Sequence, residues 1–372
     1  MKKLKLGMVG GGKGAFIGGV HRIAARIDGK WDLVAGALSS NPERAAASAV
    51  ELGIAPERSY DSFEVMAQQE AAREDGIDAV AIVTPNHMHA GPTIAFLNAG
   101  INVICDKPLA ATQEDAEAIK VAVDTSKAKF ILTHNYTGYP LIRQAREMIA
   151  RGELGKIRVV QAEYAQDWLT EDTQNKQADW RTDPNMSGAG AIGDIGTHAF
   201  NLLSFVSGLG TEALCADLHC FVDGRKVDDN AHILLRLEGG AKGMIWASQV
   251  AVGCENSLTL RIYGDKGSIE WNQENPNQMS FTRFGAATQI LTRGGSHLGD
   301  ENDRWTRIPP GHPEGYLEGF ANLYSDAADL ISGSSDGLLL PGIDAAMNGM
   351  WFIAACQASS KNDASWVHNK SN

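Results

Sequence analysis

Four short segments of this 372-residue chain carry groups suited to chemistry. Lys107 stands in Asp106-Lys107-Pro108, just past the apolar run Ile101–Cys105. Asp194 and His198 stand in Gly193-Asp194-Ile195-Gly196-Thr197-His198. Gly10-Gly11-Gly12-Lys13-Gly14-Ala15 ends the apolar run Leu4–Gly10 and fits G-x-G-x-x-G/A between a strand and a helix. The fourth is Thr84-Pro85-Asn86-His87-Met88-His89. Oxidising a carbinol carbon requires the hydroxyl proton to leave as well. A base that titrates near neutrality and a cation beside the developing alkoxide meet that need. His198 is a natural base. A helix starting at the glycines would put Asp194, four residues earlier, on the same face, to orient the imidazole or grip a hydroxyl. Lys107 falls at the carboxyl end of an expected parallel strand, where open α/β sheets bind ligands. Taken singly, a His–Asp pair also reads as a structural pair and Lys-Pro as a turn; the combination is what points to a site.

The elements that must position these groups fall into two halves. Leu4–Gly10, Asp32–Leu38, Asp78–Thr84, Ile101–Cys105 and Lys129–Thr133 read as buried strands. Helices are expected around Val20–Ile27, over Pro42–Leu52, and after the Thr112/Asp115 capping pair. Apolar strands separated by helices imply a doubly wound parallel sheet, an α/β domain over residues 1–135. Residues 136–372 read as a second α/β domain. Helices near Pro140–Arg151 and Gly196–Ser207 accompany strands at Ile157–Gln166, Ala213–Val222, Ala231–Leu237, Gly243–Val250, Ser257–Tyr263 and Ser268–Trp271. Their alternation predicts a large, mostly antiparallel open sheet with one face on helices and one face free, the kind of face that becomes a subunit interface. Residues 291–312 are polar and read as a mobile loop, with helices resuming near Pro313.

The glycine turn suits a dinucleotide. Gly10, Gly12, Lys13 and Ala15 would bring backbone amides and a helix N-terminus to a pyrophosphate. Asp32 lies about 20 residues on, the spacing of a ribose-binding acid, but it begins the second strand rather than ending it. The far end carries Ser39-Ser40-Asn41 and Arg44. The serines suit the ribose hydroxyls of NAD, and Arg44 suits the extra phosphate of NADP or a solvated helix face.

Composition narrows the remaining choices. With 33 Lys+Arg and 45 Asp+Glu, the balance is 33 − 45 = −12, which argues against nucleic acid or an anionic membrane as the main partner. No apolar stretch is long enough for a membrane helix, and the N-terminus lacks the pattern of a signal peptide. The five cysteines include no CxxC pair, which fits a reduced, cytoplasmic chain.

All four segments, in this order, resemble the Gfo/Idh/MocA family of sugar and inositol oxidoreductases over nearly the whole chain. The resemblance implies an N-terminal Rossmann domain, NAD(P)-linked oxidation of a secondary hydroxyl, and dimers or tetramers built on the second sheet. It implies catalytic roles for Lys107, Asp194 and His198, with the Lys107–Pro108 peptide cis. It places Thr84, Pro85 and Asn86 beside the nicotinamide, with His89 completing that motif. The family's Glu-Lys-Pro is Asp106-Lys107-Pro108 here, so the acid's contact to the lysine or ribose is one methylene shorter. Two further departures stand out. Three extra residues separate Gly12 from Gly18-Gly19-Val20-His21, and Thr137 follows Asn135-Tyr136 where many members have arginine.

Lesser candidates for polyol contacts are Asn135, Tyr164, Gln166, Asp167, Trp168, Arg181 and His312, each equally readable as packing or surface. His87-x-His89 is a poor metal pattern without a third ligand, so no metal is expected. Cys105 closes a buried strand and reads as packing. Together these features predict a dehydrogenase acting on a cyclic polyol or sugar, with inositols and aldoses foremost. The rivals are an NAD-dependent glycoside hydrolase working by transient oxidation and a non-catalytic dinucleotide sensor. NAD is the expected cofactor with NADP tolerated, because no acid at Ser39–Arg44 opposes the extra phosphate. Comparing kcat/KM for the two at fixed substrate tests this: NADP preferred beyond about tenfold, roughly 1.4 kcal/mol, would give the decision to Arg44.

Overall fold

The computed structural model describes residues 3–173, 175–296 and 304–369. The chain forms two compact units. The first comprises the chain through Asn135 together with Tyr316–Met350; the second comprises Tyr136–Gly315 and Trp351–Asn372. Residues 316–350, read from sequence as part of the second domain, thus return to the first.

In the first unit five strands form a parallel sheet: β1 (Leu4–Gly10), β2 (Trp31–Ala37), β3 (Ala79–Val83), β4 (Asn102–Cys105) and β5 (Phe130–Leu132). Their order is β2-β1-β3-β4-β5. Helices α1 (Phe16–Ile27), α2 (Pro42–Glu51), α3 (Phe63–Ala72), α4 (Ala90–Asn98) and α5 (Gln113–Thr125) connect them. The order reverses between β1 and β3, which opens the ligand crevice of a doubly wound sheet beside the ends of those two strands. Gly10 and Thr84 stand there. Thr112 caps α5 by accepting from the Asp115 amide. The returning segment Tyr316–Ile331 is a helix packed on α1, and its Phe320, Ala321, Tyr324 and Ala327 join Leu6, Met8, Ala24 and Trp31 in one core. Tyr324 adds polar fixings: its carbonyl accepts from Trp31 Nε1 at 2.8 Å, and its hydroxyl lies 2.8 Å from His21 Nδ1.

The second unit is built on nine strands: β6 (Ile157–Ala165), β7 (Thr211–His219), β8 (Asn230–Leu237), β9 (Lys242–Ser248), β10 (Ser257–Gly264), β11 (Gly267–Asn272), β12 (Gln278–Arg283), β13 (Gln289–Thr292) and β14 (Val367–His368). They pair in the order β13-β12-β11-β10-β6-β9-β8-β7-β14. All pairings are antiparallel except β6 with β9. Helices α6 (Pro140–Ala150), α7 (Lys176–Arg181), α8 (Pro184–Ser187) and α9 (Thr197–Ser207) belong to this unit. With α10 for Tyr316–Ile331, the last helix is α11 (Ile343–Lys361). One sheet face packs on α9. The other carries Leu234, half exposed, with Met244 and Trp246 partly so, and the Arg261 pairs to Glu163 and Glu270. No helix among the described residues is long and apolar enough to cross a membrane.

Two local expectations differ from the structure. The stretch 291–312 is not one loose loop: it begins inside β13, and Arg293 pairs with Glu314 at 3.3 Å with both side chains buried. Arg293 also donates to the Ile308 carbonyl, and Trp305 is buried. Residues 297–303 of that stretch lie outside the described residues. Pro313 does not open a helix; α10 begins at Tyr316, after Glu314 has been used as the ion-pair partner.

Candidate active site

The nucleotide crevice is shaped by glycines. Gly10 and Gly11 have φ of 78° and 70°, a region costly for any side chain. A Cβ on Gly18 would lie 2.4 Å from the Gly11 Cα, so α1 is pressed onto the turn at Gly18. The sequence reading gave the fingerprint's last position to Ala15. Ala15 is instead the residue before α1, and the helix-to-turn contact falls to Gly18 because the loop is three residues longer. The amides of Gly12 and Lys13, expected at the pyrophosphate, are taken by the Leu38 carbonyl at 3.2 Å and Ser48 Oγ at 2.9 Å. The first amides of α1, which no intrahelical bond engages, remain for an anion. The turn has backbone where side chains would block it, which fits a dinucleotide.

The other cofactor candidates divide. Ser39 accepts from the Asn41 amide at 3.1 Å; Ser40, in the loop after β2, and Arg44, in the first turn of α2, are exposed. Asp32 is at the opposite end, paired with Lys3 at 2.9 Å. Thr84 is half-buried and donates to the Met88 carbonyl at 3.3 Å, while Asn86 is buried. His89 is turned inward. Its Nδ1 lies 2.9 Å from the Pro108 carbonyl and its Nε2 2.8 Å from the Thr84 carbonyl. Neither nitrogen is left for a cofactor, so the expected His89 contact is not made by its ring.

Lys107 is half-buried and its peptide to Pro108 is cis. Asp106 holds the loop from inside: Oδ1 accepts from the Lys107 amide at 2.8 Å and from Thr133 Oγ1 at 3.0 Å. Burial, then the nearby Lys107 ammonium, push the His134 imidazole down to about 3, so it is neutral at physiological pH. Asn135 is buried at the end of the same unit.

In the second unit the chain before α9 is wound as a π turn, Ile192–Gly196. The helix carrying His198 starts only at Thr197, so Asp194 sits on the wider turn and not on a continuous α-helical face as expected. Asp228 fixes this turn, accepting from the Gly190 amide at 2.9 Å and the Ile192 amide at 2.8 Å. A Cβ on Gly190 would strike the Asp228 carbonyl at 1.8 Å, so glycine is required there. Burial raises the Asp228 carboxyl above the usual range, and the amides it accepts from pull it back down.

Asp194 Oδ2 accepts from Arg181 Nε at 3.1 Å and Gln249 Nε2 at 2.9 Å. The Arg181 guanidinium also lies over the Trp180 ring. His198 is buried, with its ring edge-to-face on Tyr136 at 4.9 Å and tilted on Tyr164 at 6.2 Å. The two tyrosine hydroxyls are 2.6 Å apart. Burial raises the Tyr136 hydroxyl's pKa, against the pull of its Tyr164 and Asn256 bonds. Asn256 Oδ1 accepts from Tyr164 at 2.8 Å and Gln166 Nε2 at 2.7 Å, and Gln166 Oε1 accepts from Trp168 Nε1 at 3.0 Å. Asn256 and Gln273 also line a cleft of about 560 Å³. Asp167 is a loop residue whose carboxylate accepts from the Gly253 amide, and His312 is exposed beside Pro309. Asp194 and Arg181 thus stand in one cluster with Gln249, and His198, Tyr164, Gln166 and Trp168 in a second with Tyr136 and Asn256; His312 lies apart, beside Pro309. Sequence reasoning missed Gly18, Tyr136, Asp228, Gln249 and Asn256. Only Gly18 had a signal, the Gly-x-x-His spacing to His21.

The strand order and the glycine turn define a nucleotide-binding oxidoreductase. Residues 4–146 match the model of the oxidoreductase family with an NAD-binding Rossmann fold, and residues 142–270 match the GFO/IDH/MocA C-terminal domain. The chain is 53% identical to the solved structure of an oxidoreductase from Sinorhizobium meliloti, covering 99% of this chain and 100% of that one at a TM-score of 0.91. It is 37% identical to an inositol dehydrogenase homolog from Azotobacter vinelandii solved with NADH and myo-inositol, covering 99% and 98% at a TM-score of 0.91. Levoglucosan dehydrogenase of Pseudarthrobacter phenanthrenivorans is 30% identical over 75% of this chain and 76% of its own length. The chain belongs to the Gfo/Idh/MocA family of oxidoreductases and uses NAD.

The Gly18 contact yields a test with an internal control. In Gly18→Ala the new methyl meets backbone, so α1 must shift; the expected cost is about 1–3 kcal/mol of stability. NAD binding should weaken at least about tenfold, roughly 1.4 kcal/mol. In Gly19→Ala the nearest atom is the tip of Arg22, 3.9 Å away, and both quantities should stay near wild type. Calorimetric NAD titration and thermal melts of the two variants check this. Equal effects at both positions would remove the close approach from the explanation.

Proposed function

We propose that this chain oxidises a secondary or anomeric hydroxyl of a cyclic polyol or sugar, with inositols and aldoses as the leading substrates. The observation that carries this reading is the Asp194–Arg181–Gln249 cluster together with the His198 ring against Tyr136 and Tyr164. A carboxylate, amides and phenols are the groups that bond vicinal hydroxyls, and Trp168 offers a flat wall for a ring's apolar face. Two relatives point the same way: one was solved with myo-inositol, and another is a levoglucosan dehydrogenase.

In this reading His198 takes the proton of the reacting hydroxyl. Lys107 donates a hydrogen bond to the same oxygen and favours its anionic form. Asp194 grips a neighbouring hydroxyl, its position fixed by Arg181 and Gln249. The bound NAD supplies the nicotinamide that accepts hydride. Gly10, Gly12, Lys13 and Ala15 form the turn beneath the pyrophosphate. Ser39, Ser40 and Arg44 face the adenosine ribose, and Thr84, Asn86 and Asp106 border the nicotinamide. Asn135, Gln166, Trp168 and Arg181 complete the substrate contacts. We place the enzyme in the cytoplasm as a homodimer or homotetramer. The sheet face bearing Leu234, Met244 and Trp246 is the proposed interface, and residues 136–315 are proposed as the substrate-binding part.

The pH dependence of oxidation tests the proton roles. If His198 is the base, it must be neutral before each turnover, so kcat/KM rises with pH as the imidazolium loses its proton. His198→Ala should remove that limb and lower the plateau by about a hundredfold. Asp194→Asn should move the limb to lower pH, since the imidazolium loses an opposite charge; the Arg181 pair keeps that movement modest. Lys107→Ala should lower kcat/KM by about a hundredfold or more with NAD binding nearly unchanged. A limb that persists unchanged in His198→Ala would assign the base elsewhere.

A further inference from the structure

We propose that His89 is a positioning residue: a doubly protonated imidazole that ties the loop after β3 to the loop after β4 and thereby holds Lys107 in register with Thr84–Asn86. The ring is buried, 1% exposed. Each nitrogen faces a carbonyl oxygen, Pro108 at 2.9 Å and Thr84 at 2.8 Å. A carbonyl only accepts. A neutral imidazole has one N–H, so its second nitrogen would set a lone pair against a lone pair. The arrangement is satisfied only when the ring donates twice and carries a positive charge.

The surroundings bear this out group by group. Burial works against the charge. The Cys105 sulfur, the Asp106 carboxylate and the Thr84 carbonyl outweigh it and push the ring up to about 9. The start of α4 opposes a cation, since His89 directly precedes Ala90. Lys107 is the other cation of the neighbouring loop. Asp106 directly follows β4, so the counter-charge comes from the same segment that carries the lysine. Thr93 on α4 adds a hydroxyl 3.9 Å from the Cys105 sulfur. Lys107 is therefore held from two sides: Asp106 takes its amide, and His89 takes the carbonyl of the proline that follows it.

The inference rests on the dehydrogenase reading for its kinetic arm alone. The first measurement is histidine-selective 15N NMR of the wild-type protein, with His89 assigned through His89→Gln and through ring-to-backbone correlations. Both ring nitrogens should carry protons at neutral pH, and one proton should leave at a pH of about 9. The second is the pH profile of kcat in wild type and His89→Gln. The glutamine amide can donate to only one of the two carbonyls, so kcat should fall at least about tenfold while the NAD Kd changes less than about threefold. The alkaline limb that accompanies loss of the His89 proton should vanish from the variant. A singly protonated His89 ring at neutral pH overturns the proposal. So does a glutamine variant with wild-type kcat and an unchanged alkaline limb. If His89→Gln does not fold, the wild-type ring protonation decides alone. Absence of any turnover in wild type would count against the dehydrogenase reading and leave the NMR result standing.

Discussion

The first unit depends on how closely α1 approaches the turn after β1. At Gly18 there is no room for a methyl group against the Gly11 backbone. That contact aims the start of α1 at the crevice between β1 and β3, where the strand order reverses. The return of α10 reinforces it from behind, through Phe320 in the core and Tyr324 against His21. A segment about three hundred residues later in the chain thus steadies α1, and the first unit includes Tyr316–Met350 as well as the chain through Asn135.

The segments bearing Lys107 and Asp194 are held by a second theme, buried polar groups that fix the backbone around them. Asp106 holds the Lys107 amide, and Asp228 holds the π turn bearing Asp194. A buried carboxylate that accepts amides is costly to leave unpaired, so such loops have one favoured shape. Asp194 is itself braced by Arg181 and Gln249, and His198 by aromatic faces. Preorganisation of this kind is what a proton transfer to a positioned base requires.

Much of this was legible in the residues. The five strands of the first unit sit within a residue or so of the apolar runs, because parallel strands buried on both faces leave an uninterrupted signal. The segments at Lys107 and His198 could be singled out as candidates because residue type and motif spacing survive without knowledge of packing. The remaining features depend on contacts between residues distant in sequence. Gly18 was hidden by the three-residue extension of the turn. Asp228 meets Gly190 and Ile192 across 38 and 36 residues, with no pattern in the text to announce it. The parallel β6–β9 pair breaks an otherwise antiparallel sheet, and no periodicity distinguishes it. In the stretch 291–312, Arg293 makes a buried pair with Glu314 where composition alone reads as loop. His89 was expected to contact the cofactor, whereas its ring nitrogens face two backbone carbonyls, because a motif names a residue without saying which way its ring turns.

The central claim is that the chain carries out net oxidation of a ring hydroxyl with NAD. The most direct measurement incubates the wild-type protein with NAD and a panel of inositols, aldoses and anhydro sugars, following NADH absorbance and the organic product together. The account predicts NADH formed in equal amount to a keto-polyol or lactone for at least one member of the panel. Reducing sugar released from a glycoside without net NADH, or no NADH from any polyol or sugar while NAD binds, would contradict it.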